Sequence, residues 1–94
     1  MPYMLVRHKV SDYAKWKPVF DEHGATREVS GCRGGRLFRN ADNPRETVML
    51  FEWNDLENAR RFAQSEDLLQ AMQRAGVVDQ PDVYFLEEVE QFSM

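Results

Sequence analysis

Apolar residues recur along this chain with two periods, and the changes of period mark out its elements. From Tyr3 to Val10 the pattern alternates loosely, with Leu5, Val6 and Val10 apolar, which predicts a first strand. Ser11 and Asp12 then offer N-cap oxygens. Tyr13, Trp16, Phe20, His23 and Arg27 follow at spacings of three and four, on one face of a helix. Pro18 removes the bond back to Ala14, so this helix is expected to kink there or to begin as a separate short turn. Gly31 ends it. Cys32 to Asn40 predicts a second strand, arginine-rich, with Gly34-Gly35 marking an edge position or a bulge. The turn formers Asn40-Ala41-Asp42-Asn43-Pro44 predict a hairpin into a third strand over residues 46–53. Asn54, with Glu57 three residues on, reads as a capping-box start for a second helix. Its buried face is Leu56, Ala59, Phe62, Ala63, Leu69 and Met72, and the N-cap signal Ser65-Glu66-Asp67 should break it near residue 65. Gly76 ends that helix, and Val83 to Val89 predicts a last strand.

The order is βαββαβ. With right-handed crossovers it makes a four-stranded antiparallel sheet with two helices on one face, a ferredoxin-like α+β arrangement whose first and third strands are central. The third strand, Thr47-Val48-Met49-Leu50-Phe51-Glu52-Trp53, is apolar on both faces, yet the helices supply one covering layer only. A second copy of the chain is expected to cover the other face, giving a homodimer. Lysine at Met49 or Phe51 is the substitution this expectation singles out.

The 94 residues suffice for one domain spanning 1–94, and the modest core of so small a chain is a second reason to expect dimerisation. Sixteen acids against twelve bases, net charge −4, argue against a nucleic-acid partner, which needs a basic surface. Five arginines between Arg27 and Arg45 make a local positive region, read as a solvated edge strand and hairpin. The single cysteine, Cys32, has no partner for an internal disulfide and points to a reducing, cytoplasmic setting. No apolar run reaches membrane-spanning length, so no membrane partner is expected, and Arg7 brings charge too early for a secretory signal. No metal-ligand spacing, phosphate-binding glycine loop or Ser–His–Asp constellation is present, and no cofactor is expected.

The candidate chemistry centres on His8, at the end of the first strand near Thr47, Val83 and Tyr84 and beneath Tyr13 and Trp16. A histidine beside a phenol and an indole can bind an aromatic substrate and move a proton near neutral pH. A strand-end histidine bonded to a backbone carbonyl is the ordinary alternative. His23 shares the apolar helix face with Trp16 and Phe20, where a satisfied core or interface histidine is the common case. Glu52, at the end of the sheet away from His8, would be a general acid or base if it pointed inward and burial raised its pKa. It is expected instead to pair with Arg27 or Arg36. Trp16, Phe20, Phe62, Tyr84 and Phe85 are either core packing or the lining of a pocket between sheet and helices.

The segment Trp53-Asn54-Asp55-Leu56-Glu57-Asn58-Ala59-Arg60-Arg61-Phe62-Ala63-Gln64-Ser65, with Asp12-Tyr13, Gly34-Gly35-Arg36 and the acidic last strand, resembles the dimeric α/β-barrel superfamily. Within it, the nearest likeness is to antibiotic-biosynthesis-monooxygenase-like domains. That superfamily includes cofactor-independent oxygenases, haem-degrading enzymes, isomerases and stress proteins. The resemblance also implies absences. Haem-degrading members carry a ligand histidine where this chain has Met72, a tryptophan where it has Phe62, and an asparagine near Arg7 or His8, which speaks against haem degradation. Related monooxygenase-like domains often carry a histidine after the Ser65 position, where Glu66-Asp67 stands here. The resulting expectation is a homodimer that binds a small hydrophobic or aromatic ligand. As an enzyme it would oxidise or isomerise an aromatic or polyketide-like compound without a cofactor. His8 would then handle protons, Tyr13 orient substrate and Trp16 give a stacking wall, with Phe20, His23, Phe62, Met72 and Tyr84 completing the pocket. The competing reading is a non-catalytic ligand-binding or stress-related dimer.

Overall fold

The computed structural model describes residues 1–94. Its elements are β1 (Tyr3–Lys9), α1 (Tyr13–Glu22), α2 (Gly24–Ser30), β2 (Cys32–Asn40), β3 (Asn43–Trp53), α3 (Leu56–Ala63), α4 (Glu66–Ala75) and β4 (Asp82–Leu86). The sheet is antiparallel in the order β2-β3-β1-β4, with β1 and β3 central. This is the ferredoxin-like α+β fold expected from the pattern.

Each expected helix is a pair of helices. The second breaks where its sequence signals it: Ser65 caps α4 by accepting from the Leu68 N–H at 3.2 Å. The first breaks at His23, not at Pro18. Pro18 is accommodated within α1, and the interruption falls where Gly24 weakens the helical ladder. At the start of α3 the capping residue is Asp55, one position beyond the expected Asn54, and its carboxylate accepts from the Asn58 N–H at 2.7 Å.

The β2–β3 hairpin closes through Ala41-Asp42, and β3 begins three residues earlier than expected, at Asn43. Asn40 and Asn43 hold the turn by accepting from the N–H groups of Asp42 and Arg45. A bulge separates Cys32 from Gly34, as the paired glycines suggested. Gly35 is required for closeness: a Cβ there would lie 2.2 Å from the Leu50 carbonyl oxygen. The last strand stops at Leu86, short of the expected Val89.

Alternation along β3 sorts its residues between two environments. Thr47, Met49, Phe51 and Trp53 are buried beneath the helices, together with Met4, Val6 and His8 of β1. Val48, Leu50 and Glu52 face the opposite way, in register with Phe38, Arg36, Leu5 and Tyr3. Met49 and Phe51 therefore belong to the core, so lysine there tests folding. The position that tests the open face is Leu50.

At one margin of that open face Arg7 joins three carboxylates, bonding Asp82 at 2.7 Å, Glu46 at 3.0 Å and Asp79 at 3.2 Å. The network ties β1 to β3 and to the segment leading into β4. The Asn40 amide and Arg7 hold the Glu46 carboxyl below its usual range. Burial would raise Asp79, but the Lys9 N–H and Arg7 outweigh it, and its carboxyl also sits low. Depressed carboxyls contribute stability above their unfolded values and lose it as pH falls through the folded ones. Arg7→Met is therefore expected to lower the melting temperature at neutral pH, the difference closing below about pH 4. Thermal melts of both proteins at the two pH values check this, and a deficit unchanged in acid would exclude an ionic origin.

Candidate functional site

Between the helices and the β1–β4 half of the sheet lies a mainly apolar cavity of about 630 Å³. It exists because small side chains occupy positions where larger ones would fill the layer. Ala63, Ala71 and Ala75 all face it from α3 and α4. The volume falls within the range of small-molecule sites.

Helix α1 supplies one wall. Trp16 and Phe20, one turn apart, stack with ring centroids 4.9 Å apart. Phe20 in turn lies 6.3 Å from Phe51 of β3. The aromatic run thus continues from helix to sheet.

His8 sits in the wall at one end. It is 3% exposed, packs edge-on against Trp16 at 5.7 Å, and neither ring nitrogen has a hydrogen-bond partner. Burial pushes its imidazole down to about 4, with Arg7 adding to the effect and Asp79 opposing it. The ring is therefore neutral at physiological pH, one nitrogen a donor and the other an acceptor. The backbone-carbonyl bond of the ordinary alternative is absent. Trp53 Nε1 is likewise buried and unpartnered, but Trp53 does not line the cavity.

His23, at the junction of α1 and α2, is buried and lines the cavity toward its other end. Its Nε2 lies 2.6 Å from an Asp67 carboxylate oxygen, and its ring packs on Phe62 at 5.7 Å. Asp67 in the first turn of α4 thus clasps the broken first helix. It belongs to the Glu66-Asp67 pair that replaces the histidine expected from the resemblance.

The cavity brings together six of the residues singled out from sequence: His8, Trp16, Phe20, His23, Phe62 and Met72. Three others lie elsewhere. Phe85 packs against the core with the Arg60 guanidinium 4.5 Å over its ring, outside the lining. Tyr84 pairs with Leu5 on the open face, because its place in β4 has the parity opposite to Val83 and Phe85. Tyr13 packs behind Trp16 at 5.7 Å with the Arg39 guanidinium 4.7 Å over its ring, outside the lining. Glu52 forms no ion pair: it faces the open side, away from Arg27, and Arg36 on that same side is not within ion-pair distance of it.

Arg27 in the lining and Asp67 behind His23 are polar side chains to which sequence reasoning gave other roles, an ion pair with Glu52 and a helix-start signal. Arg27 was visible as the last member of the α1 face pattern, but an assumed partner in Glu52 hid its significance. No cluster of three or more His, Cys, Asp or Glu side chains is placed to hold a metal ion. No helix is long and apolar enough to cross a membrane.

The molecule is thus a ferredoxin-like α+β domain with a ligand-sized apolar cavity under its first helix. Residues 13–74, well over half of the chain, match the profile of the antibiotic biosynthesis monooxygenase family, and the chain belongs to that family. The match runs from the first residue of α1 to near the end of α4 and leaves His8 outside it. Comparison with curated protein sequences found no match.

Among solved structures, one of a family protein from Bordetella bronchiseptica superposes with a TM-score of 0.80 at 18% identity, covering 95% of this chain and 97% of that one. SnoaB, a cofactor-independent oxygenase from Streptomyces nogalater, superposes with a TM-score of 0.71 at 18% identity, covering 94% of each chain. Rv0793 from Mycobacterium tuberculosis gives 0.70 at 17% identity, covering 99% and 100%. Likenesses at these identities speak for the fold.

Proposed function

We propose that this protein is a homodimeric small-molecule enzyme that holds a flat aromatic or polyketide-like compound in the cavity and oxidises or isomerises it without a cofactor. One observation carries the reading: a buried imidazole with two unpartnered nitrogens in the wall of an apolar, ligand-sized cavity. Unpaired buried polar groups cost free energy and persist where a ligand completes them. A shift of Trp16, which packs on the imidazole edge, opens the path from cavity to nitrogen. His8 then accepts a proton from an acidic C–H or phenol, while Trp16 and Phe20 hold the ring system flat. The anion that forms beside the ring raises the imidazole's basicity and so supports the transfer.

Two outcomes follow from such a carbanion. Returned at another carbon, the proton gives an isomer. With dioxygen as oxidant, an activated methylene becomes a carbonyl. One oxygen atom stays in the product, and the other leaves as water with both methylene hydrogens. Membership of the family and the fold shared with a cofactor-independent oxygenase support the oxidative branch.

A hydroxylated anthracene offered to the protein under air is expected to bind and to be turned over with uptake of dioxygen. His8→Phe keeps the apolar wall, so it is expected to retain binding while turnover falls by roughly 10²–10⁴-fold. Binding with no product in the wild type would support the non-catalytic reading instead. Absence of binding would sink both.

A further inference from the structure

We infer that the ligand is an acid, and that Arg27 holds its carboxylate at the end of the cavity remote from His8. The inference rests on the proposed occupancy of the cavity and names the chemical class of what occupies it. Arg27 lines the cavity and is half-buried. Its guanidinium lies 4.0 Å over the Phe20 ring and 5.7 Å from the Phe51 ring. One of its five N–H donors is used: Nη1 donates to the Phe20 carbonyl at 2.9 Å. That carbonyl is free because the first helix breaks at His23, so the contact caps the end of α1. Capping explains why the side chain lies here. It leaves the rest of the fork unassigned.

No carboxylate lies within ion-pair distance of the guanidinium. None of the six ion pairs of the molecule involves Arg27. Burial penalises its charged form and lowers its pKa, against weaker opposing influences of Cys32 and Asp21. A half-buried cation is ordinarily compensated by an anion, and guanidinium suits a carboxylate because the two planar groups can bond in parallel. The aromatic faces beneath it contribute attraction but accept no N–H bond in the plane of the fork.

The spacing constrains the ligand further. His8 is in register with Thr47, and Phe51 lies four residues further along β3. At about 3.3 Å per residue, Phe51 and the guanidinium above it lie on the order of 13 Å from the histidine along the strand. The surface between is the apolar wall of Trp16, Phe20 and Phe51. A ligand that meets both ends is therefore long, flat and apolar in its middle. It carries an anion at one end and a hydroxyl or carbonyl near the other.

The test uses two probes of one shape, anthracene carboxylate and anthracene carboxamide, titrated by fluorescence against wild type, Arg27→Gln and Arg27→Lys near pH 8. Wild type is expected to bind the acid about tenfold or more tighter than the amide, as charge-assisted hydrogen bonds allow. In R27Q that ratio should fall to near one, while R27K should keep part of it. The ratio is insensitive to any general loss from the broken α1 cap, because both probes report on the same protein. Equal binding of the two probes to wild type, or a ratio unchanged in R27Q, would overturn the anion subsite and leave the cavity reading standing. Failure of both probes to bind wild type would overturn the two together.

Discussion

Replacement of His8 by phenylalanine is expected to stabilise the unliganded protein, and to do so far more at pH 4.5 than at pH 7.5. At the higher pH the substitution removes two buried nitrogens that have no partner, while a ring of similar shape fills the same place beside the cavity. An unsatisfied buried polar group costs about 1–3 kcal/mol, so a gain of about 1–2 kcal/mol is expected. The acid effect has a separate origin. Burial lowers the imidazole from 6.5 to about 4 in the folded protein. As pH falls below 6.5 the unfolded chain takes up a proton that the folded chain refuses, so wild-type stability declines until the pH reaches about 4. A displacement of that size is worth about 3 kcal/mol, a large share of the stability of a small domain. H8F lacks the group and should show no decline of this origin. Urea melts of both proteins at half-unit intervals between pH 7.5 and 4 measure the difference. A constant difference across the range would show that the ring is not buried neutral. An H8F protein less stable than wild type at pH 7.5 would show that the nitrogens are satisfied.

That expected trade, stability against a bare imidazole, could not be read from the chain alone. The fold could be read. Hydrophobic period, Gly31 and Gly76 at helix ends and the Asn-rich turn each act over a few residues, and each falls where the local physics puts it. The break of the first helix was misplaced because Pro18 dominates local reasoning. The decisive partner of His23 is Asp67, 44 residues away. The site was half legible for a similar reason. Face patterns gathered Trp16, Phe20, His23 and Phe62, since helical spacing settles which residues share a side. Tyr84 went to the wrong face because parity in a short edge strand depends on register with β1, which no local signal sets. The cavity depends on volumes summed over several elements, and three alanines that look like ordinary helix formers create it.

Leu50→Lys is expected to convert a dimer into a folded monomer. The open face of the sheet presents Leu5, Val48, Leu50, Phe38, Tyr84 and Leu86 in adjoining rows. Of these, Tyr84 is 56% exposed and Phe38 49%. Contiguous apolar surface of this kind on a small domain marks an interface. A two-fold axis through the sheet would lay the same patch against itself, with Arg36 and Glu52 on β2 and β3 available to pair across it. Leu50 sits near the middle, flanked in register by Arg36 and Leu5. In a dimer of that kind an ammonium placed there in each protomer would meet its own symmetry mate in a desolvated centre. About 3 kcal/mol or more is a moderate estimate of the cost, a hundredfold or greater loss of dimer affinity. The monomer tolerates the change, because Leu50 faces away from the helices and a lysine stem can run along the sheet to solvent. Sedimentation equilibrium at tens of micromolar should give twice the chain mass for wild type and the single mass for L50K, with unchanged far-ultraviolet dichroism. The melting temperature of wild type should rise with protein concentration, and that of L50K should not. A wild-type monomer at that concentration would leave the face without its second copy.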